Sequence, residues 1–216
     1  MPNLPTVVVL AAGLGSRFKA GAVAGAGVHK LGQPLGDGSV LQQTLLHVLA
    51  SGLPLVVVTT PALASEAARH VALRDVLCLP DGAAPVGVGH SIAAGVAARC
   101  DSPGWLVLPA DMPLVRPSTL QAVARALAEH AVAYPQYLGR RGHPVGFSAE
   151  LYADLAALEG DVGARRVIAR YAALAIEVDD PGVLIDIDTE SDLDGARAVW
   201  RSAQLDARLT HTSALR

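Results

Sequence analysis

Residues 6–11, TVVVLA, form an unbroken apolar run rich in β-branched side chains, as expected of a strand buried on both faces of a parallel sheet. LPLVVVTT (53–60), VLCL (76–79) and WLVLPA (105–110) have the same character. Helical spacing fills the gaps between them. Ser39 can cap a helix whose apolar side is Val40, Leu41, Thr44, Leu45, Val48 and Leu49. ALASEAARHVA (62–72) and HSIAAGVAARC (90–100) predict two more helices, and Pro117 opens another that runs to about Glu129. HAVAYPQY (130–137) and HPVGFS (143–148) predict two strands around a turn at GRRG. Ser148 and Asp161 are candidate caps for two further helices, and VLIDID (183–188) predicts a last strand. Thr189 and Asp192 have capping-box spacing at the start of a final helix, expected to end near Gln204. Residues 1–204 then form a single domain, with 205–216 a mobile tail.

Strands alternating with helices predict a three-layer α/β/α, Rossmann-like domain with a mostly parallel sheet. Ligands of such sheets bind beyond the carboxyl ends of the strands. Function is therefore expected in the loops after residues 11, 60, 79, 110 and 188.

Composition narrows the classes. With 51% hydrophobic and 17% charged residues, the 216-residue chain is neither disordered nor fibrous. A net charge of −3 disfavours a nucleic-acid or membrane-surface binder. The N-terminus carries no basic segment ahead of its apolar run, and no apolar stretch reaches the roughly 18–20 residues of a membrane span. Cys78 and Cys100 lack metal-ligand spacing and read as buried, reduced thiols of a cytoplasmic protein. The basic residues are all arginine except Lys19 and Lys30, both within the first thirty positions.

The loop after the first strand, Leu10 to Phe18, is built from small residues. Ala11, Ala12, Gly13 and Gly15 leave backbone N–H groups open to an anion, and Arg17 adds a forked cation suited to phosphate. An ordinary strand-to-helix turn would also use such glycines. The loop is not a P-loop, because neither lysine follows glycine or precedes Ser or Thr. It is not a dinucleotide fingerprint either: Phe18 stands where the third glycine belongs, and Thr59-Thr60 replace the ribose-binding acid.

LAAG-x-x-x-R with a downstream lysine resembles the molybdenum-cofactor (molybdopterin) nucleotidyltransferases. Lys30 with Pro34, Gly87-Val-Gly-His-Ser91-Ile92, PADMP (109–113), GRRGHPVGF (139–147), GDVGAR (160–165) and LIDIDTESDL (184–193) resemble further segments of that family, in its order, across about residues 6–200. One departure is plain. The family places its lysine close behind the arginine, whereas Phe18-Lys19 and an insertion, AGAVAGAG, here push Lys30 thirteen residues beyond Arg17. Pro34 and the following helix keep register with Lys30, and Lys19 remains a rival.

The resemblance implies a nucleotidyltransferase fold and transfer of a nucleoside monophosphate, with release of pyrophosphate. Arg17, Lys30 and Asp111 would be catalytic, and Asp111 would hold Mg²⁺ on a triphosphate, with Asp188 a second metal contact. Leu10, Ala11, Ala12, Gly13, Gly15, Ser16, Arg17, Lys30, Val86, Gly87 and Ser91 would bind the nucleotide. Arg141, His143, Asp186 and Asp188 would face the acceptor, most simply molybdopterin. In a strand, Asp186 and Asp188 share one face and need a cation or donors to offset their repulsion; Asp188 could equally serve the helix start. Ala12, where a guanylyl-transferring member carries glycine, resembles the cytidylyl-transferring branch and implies CTP. GTP remains the alternative, as does a protein that delivers the cofactor to a recipient molybdoenzyme. A Rossmann-type redox module is a weaker third reading.

Overall fold

The computed structural model describes residues 3–13, 29–80, 87–161 and 163–213, with side chains of the last helix described through Ser202. The strands are β1 (Thr6–Ala11), β2 (Pro34–Leu35), β3 (Gly38–Ser39), β4 (Leu55–Thr59), β5 (Val76–Cys78), β6 (Gly104–Pro109), β7 (Val132–Tyr137), β8 (Arg140–Arg141), β9 (Val145–Ser148) and β10 (Ala173–Glu177). The α-helices are α1 (Val40–Ala50), α2 (Pro61–Ala67), α3 (Val88–Ala97), α4 (Pro117–Ala126), α5 (Tyr152–Ala156), α6 (Arg165–Arg170) and α7 (Glu190–Ser213).

The main sheet runs β10-β7-β9-β6-β1-β4-β5, with β8 paired to β7, and β2-β3 form a separate ribbon. β1 pairs in parallel with β4 and β6, β4 with β5, and β10 with β7, while β9 is antiparallel to both β6 and β7. The expected mostly parallel three-layer α/β fold is therefore present. Its layers follow from the pleat, which sends successive side chains to opposite faces. Val7, Val9, Leu106 and Leu108 join Leu41 and Leu45 of α1, Leu120 and Val123 of α4 and Leu193 of α7 in one apolar cluster. Val8, Val56, Val58 and Val107 join Ile92 and Val96 of α3, Leu155 of α5 and Val167 of α6 in the other. The helices after β1, β4 and β6 thus lie on one face and the helix after β5 on the other. The β1/β6 boundary is the switch point at which such sheets bind ligands.

Local signals held at both ends of the chain. Ser39 Oγ accepts the Gln42 N–H at 3.1 Å and caps α1. Thr189 and Asp192 form the reciprocal box, with Thr189 N–H donating to Asp192 Oδ2 at 2.7 Å and Asp192 N–H to Thr189 Oγ1 at 3.2 Å. Helix α7 continues to Ser213 rather than ending near Gln204.

Three expectations need correction. VLIDID is not a strand: Pro181–Leu184 is a 3₁₀ helix and 185–188 cross the strand ends without joining the sheet. The place beside β7 is taken by β10, which the alternation in ALAIE did not announce. Asp161 is not the cap of α6, whose preceding residue is Ala164; Ser148 does stand at the N-cap position of the 3₁₀ turn Ala149–Leu151 that leads into α5, but its hydroxyl bonds to Glu150 instead of a helix N–H. Among the described residues, no helix is long and apolar enough to cross a membrane.

Candidate active site

Three chain segments meet at the carboxyl end of β6. Asp111 stands two residues past that strand, and its position is fixed by backbone bonds on both sides. Ala110 N–H donates to Leu10 O at the end of β1 (3.0 Å), and Thr44 Oγ1 donates to Ala110 O (2.8 Å). Ile187 N–H then donates to Asp111 O (3.0 Å), which places Asp188 alongside. Lys30 arrives from the other direction, as the first residue of a 3₁₀ helix, Lys30–Gly32.

The Lys30 ammonium joins the two carboxylates. Nζ lies 2.5 Å from Asp111 Oδ2 and 2.8 Å from Asp188 Oδ1. Burial pulls the Lys30 pKa down, but the charges and hydrogen bonds of Asp111 and Asp188 outweigh it and hold the ammonium above its ordinary value. Burial pushes the Asp111 carboxyl upward; Lys30 opposes this, while the charges of Asp186 and Asp188 add to the rise. Asp111 Oδ1 is buried and has no hydrogen-bond partner among the described residues. Such an atom is costly unless something else satisfies it. Two carboxylates share one ammonium, and one of their oxygens is buried without a partner among the described residues; such oxygen donors are of the kind a hard divalent cation takes alongside phosphate and water oxygens.

The loop after β1 is only partly described. Leu10 is half-buried, Ala11 and Ala12 are buried, and a Cβ on Gly13 would meet nothing within 4 Å, so its backbone is open to a ligand. Ala12 packs in the same apolar cluster as Leu79 and Ile92. Gly15, Ser16, Arg17, Lys19 and Val86, with the AGAVAGAG insertion, lie outside the described residues.

Gly87 precedes α3 with φ of +93°, a conformation that favours glycine. A Cβ there would lie 2.2 Å from the Gly160 carbonyl carbon, and Gly89 N–H donates to Gly160 O at 2.9 Å. The Gly87 segment and the GDVGAR segment are therefore in direct backbone contact. Ser91 is buried on α3.

A cavity of about 540 Å³ opens beside the carboxylates. Leu10 and Pro109 border it on the active-site side, Arg141 and His143 line it, and Asp161 and Arg165 of GDVGAR close it. His143 is fixed by its N–H bond to Val183 O at 3.0 Å. Gly142 allows this approach, because a Cβ there would sit 2.5 Å from Val183 O. Burial, and next the Arg141 charge, lower the His143 pKa against an opposing pull from Asp186. His143 therefore lines the cavity with its charged form disfavoured by burial and by Arg141. Asp186 is exposed, and its charge bears on both Asp111 and His143.

The structure thus gathers Lys30, Asp111 and Asp188 at one point and Arg141 and His143 at a neighbouring cavity. Sequence reasoning missed two residues. Arg165 lies within a motif already noted but was given no role. His29 drew no role from the sequence, yet its Nδ1 accepts the Leu31 N–H (3.2 Å) and its Nε2 lies 2.9 Å from Gly13 O. Nε2–H is then the donor, and the ring ties the glycine loop to the turn carrying Lys30. Its position directly before Lys30 was the available signal.

Comparison with known proteins bears on the family and the fold. The Bacillus subtilis purine catabolism protein PucB is 35% identical over 116 residues, covering 51% of this chain and 56% of PucB. The chain thus spans about half the length of that curated relative. Rv0371c from Mycobacterium tuberculosis H37Rv superposes with a TM-score of 0.76 at 27% identity, over 92% of this chain and 99% of Rv0371c. A structure of Rv0371c in complex with manganese gives 0.72 at 25% identity, over 92% and 100%. A nucleotidyl transferase from Methanothermobacter thermautotrophicus gives 0.76 at 25% identity, over 93% and 99%. The MobA-like NTP transferase domain matches residues 7–175, and the chain belongs to that family of nucleotidyltransferases.

Proposed function

We propose that this enzyme transfers CMP from CTP to the phosphate of a molybdopterin-type acceptor, releasing pyrophosphate. The observation that carries the reading is the junction of Lys30 with Asp111 and Asp188, with Asp111 Oδ1 buried and without a partner among the described residues. Asp111 and Asp188 would hold Mg²⁺. When bound, the ion neutralises triphosphate charge and polarises the α-phosphate.

An acceptor phosphate oxygen forms a new bond to the α-phosphorus, the bond to the β-phosphate bridging oxygen breaks, and that oxygen leaves with the electron pair as pyrophosphate. The acceptor phosphate is already ionised, so no strong protein base is needed. The protein's work is then positioning and charge neutralisation. Backbone N–H groups of the Ala11–Gly15 loop, with Arg17 and Lys30, hold the triphosphate and the leaving group. Gly87, Val86 and Ser91 shape the surface for the base. Ala12, where glycine would leave more room, favours the smaller pyrimidine. His143 and Arg141 receive the acceptor, with Asp186 orienting it beside Asp188.

Cys78 and Cys100 are exposed rather than buried as the sequence suggested, and as free thiols they fit a cytoplasmic location, where a recipient molybdoenzyme would collect the product. Pyrophosphate release on mixing the protein with Mg²⁺, molybdopterin and CTP tests the proposal. A failure to release it with every nucleoside triphosphate contradicts the enzyme reading.

A further inference from the structure

Under the nucleotidyl-transfer reading, a triphosphate is held by two segments far apart in the chain, and one side chain joins them. The first segment is the glycine loop beyond β1, and the second is the 3₁₀ turn Lys30–Gly32. His29 stands at the N-cap of that turn. Its Nδ1 accepts the Leu31 N–H at 3.2 Å, inside the turn. Its Nε2 lies 2.9 Å from Gly13 O, 16 positions back in the chain. The turn itself is well seated: Leu31 is buried in the same apolar cluster as Ala11 and Leu35, and Gln33 O accepts the Val40 N–H of α1 at 3.0 Å.

These bonds close a circuit around the site. Leu10 O of β1 accepts the Ala110 N–H at 3.0 Å, Asp111 follows Ala110 and holds Lys30 Nζ, and His29 returns from Lys30 to Gly13, just beyond β1. In that circuit the His29–Gly13 bond sets the main chain of the glycine loop directly against the lysine turn. It also spans the insertion, because Arg17, Phe18, Lys19 and AGAVAGAG all fall between Gly13 and His29 in sequence. A segment of that length does not by itself fix the distance between its ends, and closing it costs entropy. A hydrogen bond between the ends sets that distance.

We propose that His29 is a positioning residue: through its bond to Gly13 O it holds the glycine loop and Lys30 at the separation at which both grip one triphosphate. The proposal rests on the nucleotidyl-transfer reading for the triphosphate itself. His29 needs no contact with phosphate, since it acts through Gly13 and Lys30. Its two ring nitrogens have separable tasks. Nδ1 caps the turn and serves stability, whereas Nε2 fixes the loop and serves ligand binding.

Two variants separate those tasks. In His29→Asn the side-chain oxygen can replace Nδ1 at the Leu31 N–H but stops short of Gly13 O. In His29→Gln the amide N–H₂ reaches the place of Nε2, while the cap acceptor is lost. His29→Gln is expected to bind CTP within about threefold of the wild type. His29→Asn should bind it at least about fivefold more weakly than His29→Gln, although its Tm is no lower. Calorimetry with CTP, and with inorganic tripolyphosphate to isolate the phosphate chain, reads the affinities, and thermal melting is the folding control. Equal affinities in the two variants, an affinity that falls in step with Tm, or wild-type protein that binds neither probe would overturn the proposal. The expected order with tripolyphosphate, but no pyrophosphate release from any nucleoside triphosphate with molybdopterin, would support the role of His29 and refute the proposed reaction instead.

Discussion

Lys30 Nζ and Asp111 Oδ2 are 2.5 Å apart, although eighty-one residues separate them in the chain. This contact gives a physical meaning to the lone described lysine of an arginine-rich protein. A compact ammonium fits between two carboxylates, where a planar guanidinium would reach differently.

Removing that ammonium leaves Asp111 and Asp188 facing each other without their shared counter-ion. Lys30→Ala should lower stability by about 1–3 kcal/mol, between the values for exposed and fully buried pairs. It should also lower kcat/KM by about 10²-fold or more. Lys19→Ala should change both far less. Paired denaturant titrations and pyrophosphate assays distinguish the two, and a greater catalytic loss at position 19 would transfer the phosphate role there.

His143 makes stability depend on acidity. Its pKa is lowered in the folded protein, by burial first and Arg141 second, so the unfolded chain takes up the proton more readily. Its contribution is present above the ordinary value of 6.5 and is lost as pH falls from there through the folded value. His143→Asn should therefore flatten the decline of Tm below pH 6.5, by at most about 1.4 kcal/mol per pH unit. An identical decline in both proteins would contradict the assignment.

Gly87 should tolerate no side chain. Alanine there meets both a φ of +93° and the Gly160 backbone at 2.2 Å. Gly87→Ala is expected to cost about 1–3 kcal/mol and to weaken nucleotide binding, because the segment before α3 must move. Thermal shift with and without CTP measures both effects, and an unaltered response would show that the contact is dispensable.

The strands β1, β4 and β6 were legible because each is an apolar run buried on both faces, and Ser39 and Thr189 marked helix starts through local hydrogen bonds. Asp111 and Lys30 were legible from motif order. Their contact was not, since it depends on how the Ile187 N–H to Asp111 O bond folds the last loop over the strand ends. VLIDID has the alternation of a strand, yet Pro181 starts a 3₁₀ turn and the Val183 carbonyl is taken by His143 N–H rather than by a neighbouring strand. Edge strand β10 was missed because a half-exposed edge needs no continuous apolar run. His29 was missed because its partners, Gly13 O and Leu31 N–H, are backbone atoms that leave no mark in residue identity.

The central claim, nucleotidyl transfer organised by Asp111, is tested most directly by pyrophosphate release from the purified protein with Mg²⁺, molybdopterin and either CTP or GTP, alongside Asp111→Asn. The account predicts release that requires both acceptor and nucleotide, favours CTP, and falls by about 10²–10³-fold or more in the variant while its Tm is preserved. Near-normal turnover in Asp111→Asn, or no release by the wild-type protein with any nucleotide, would contradict it.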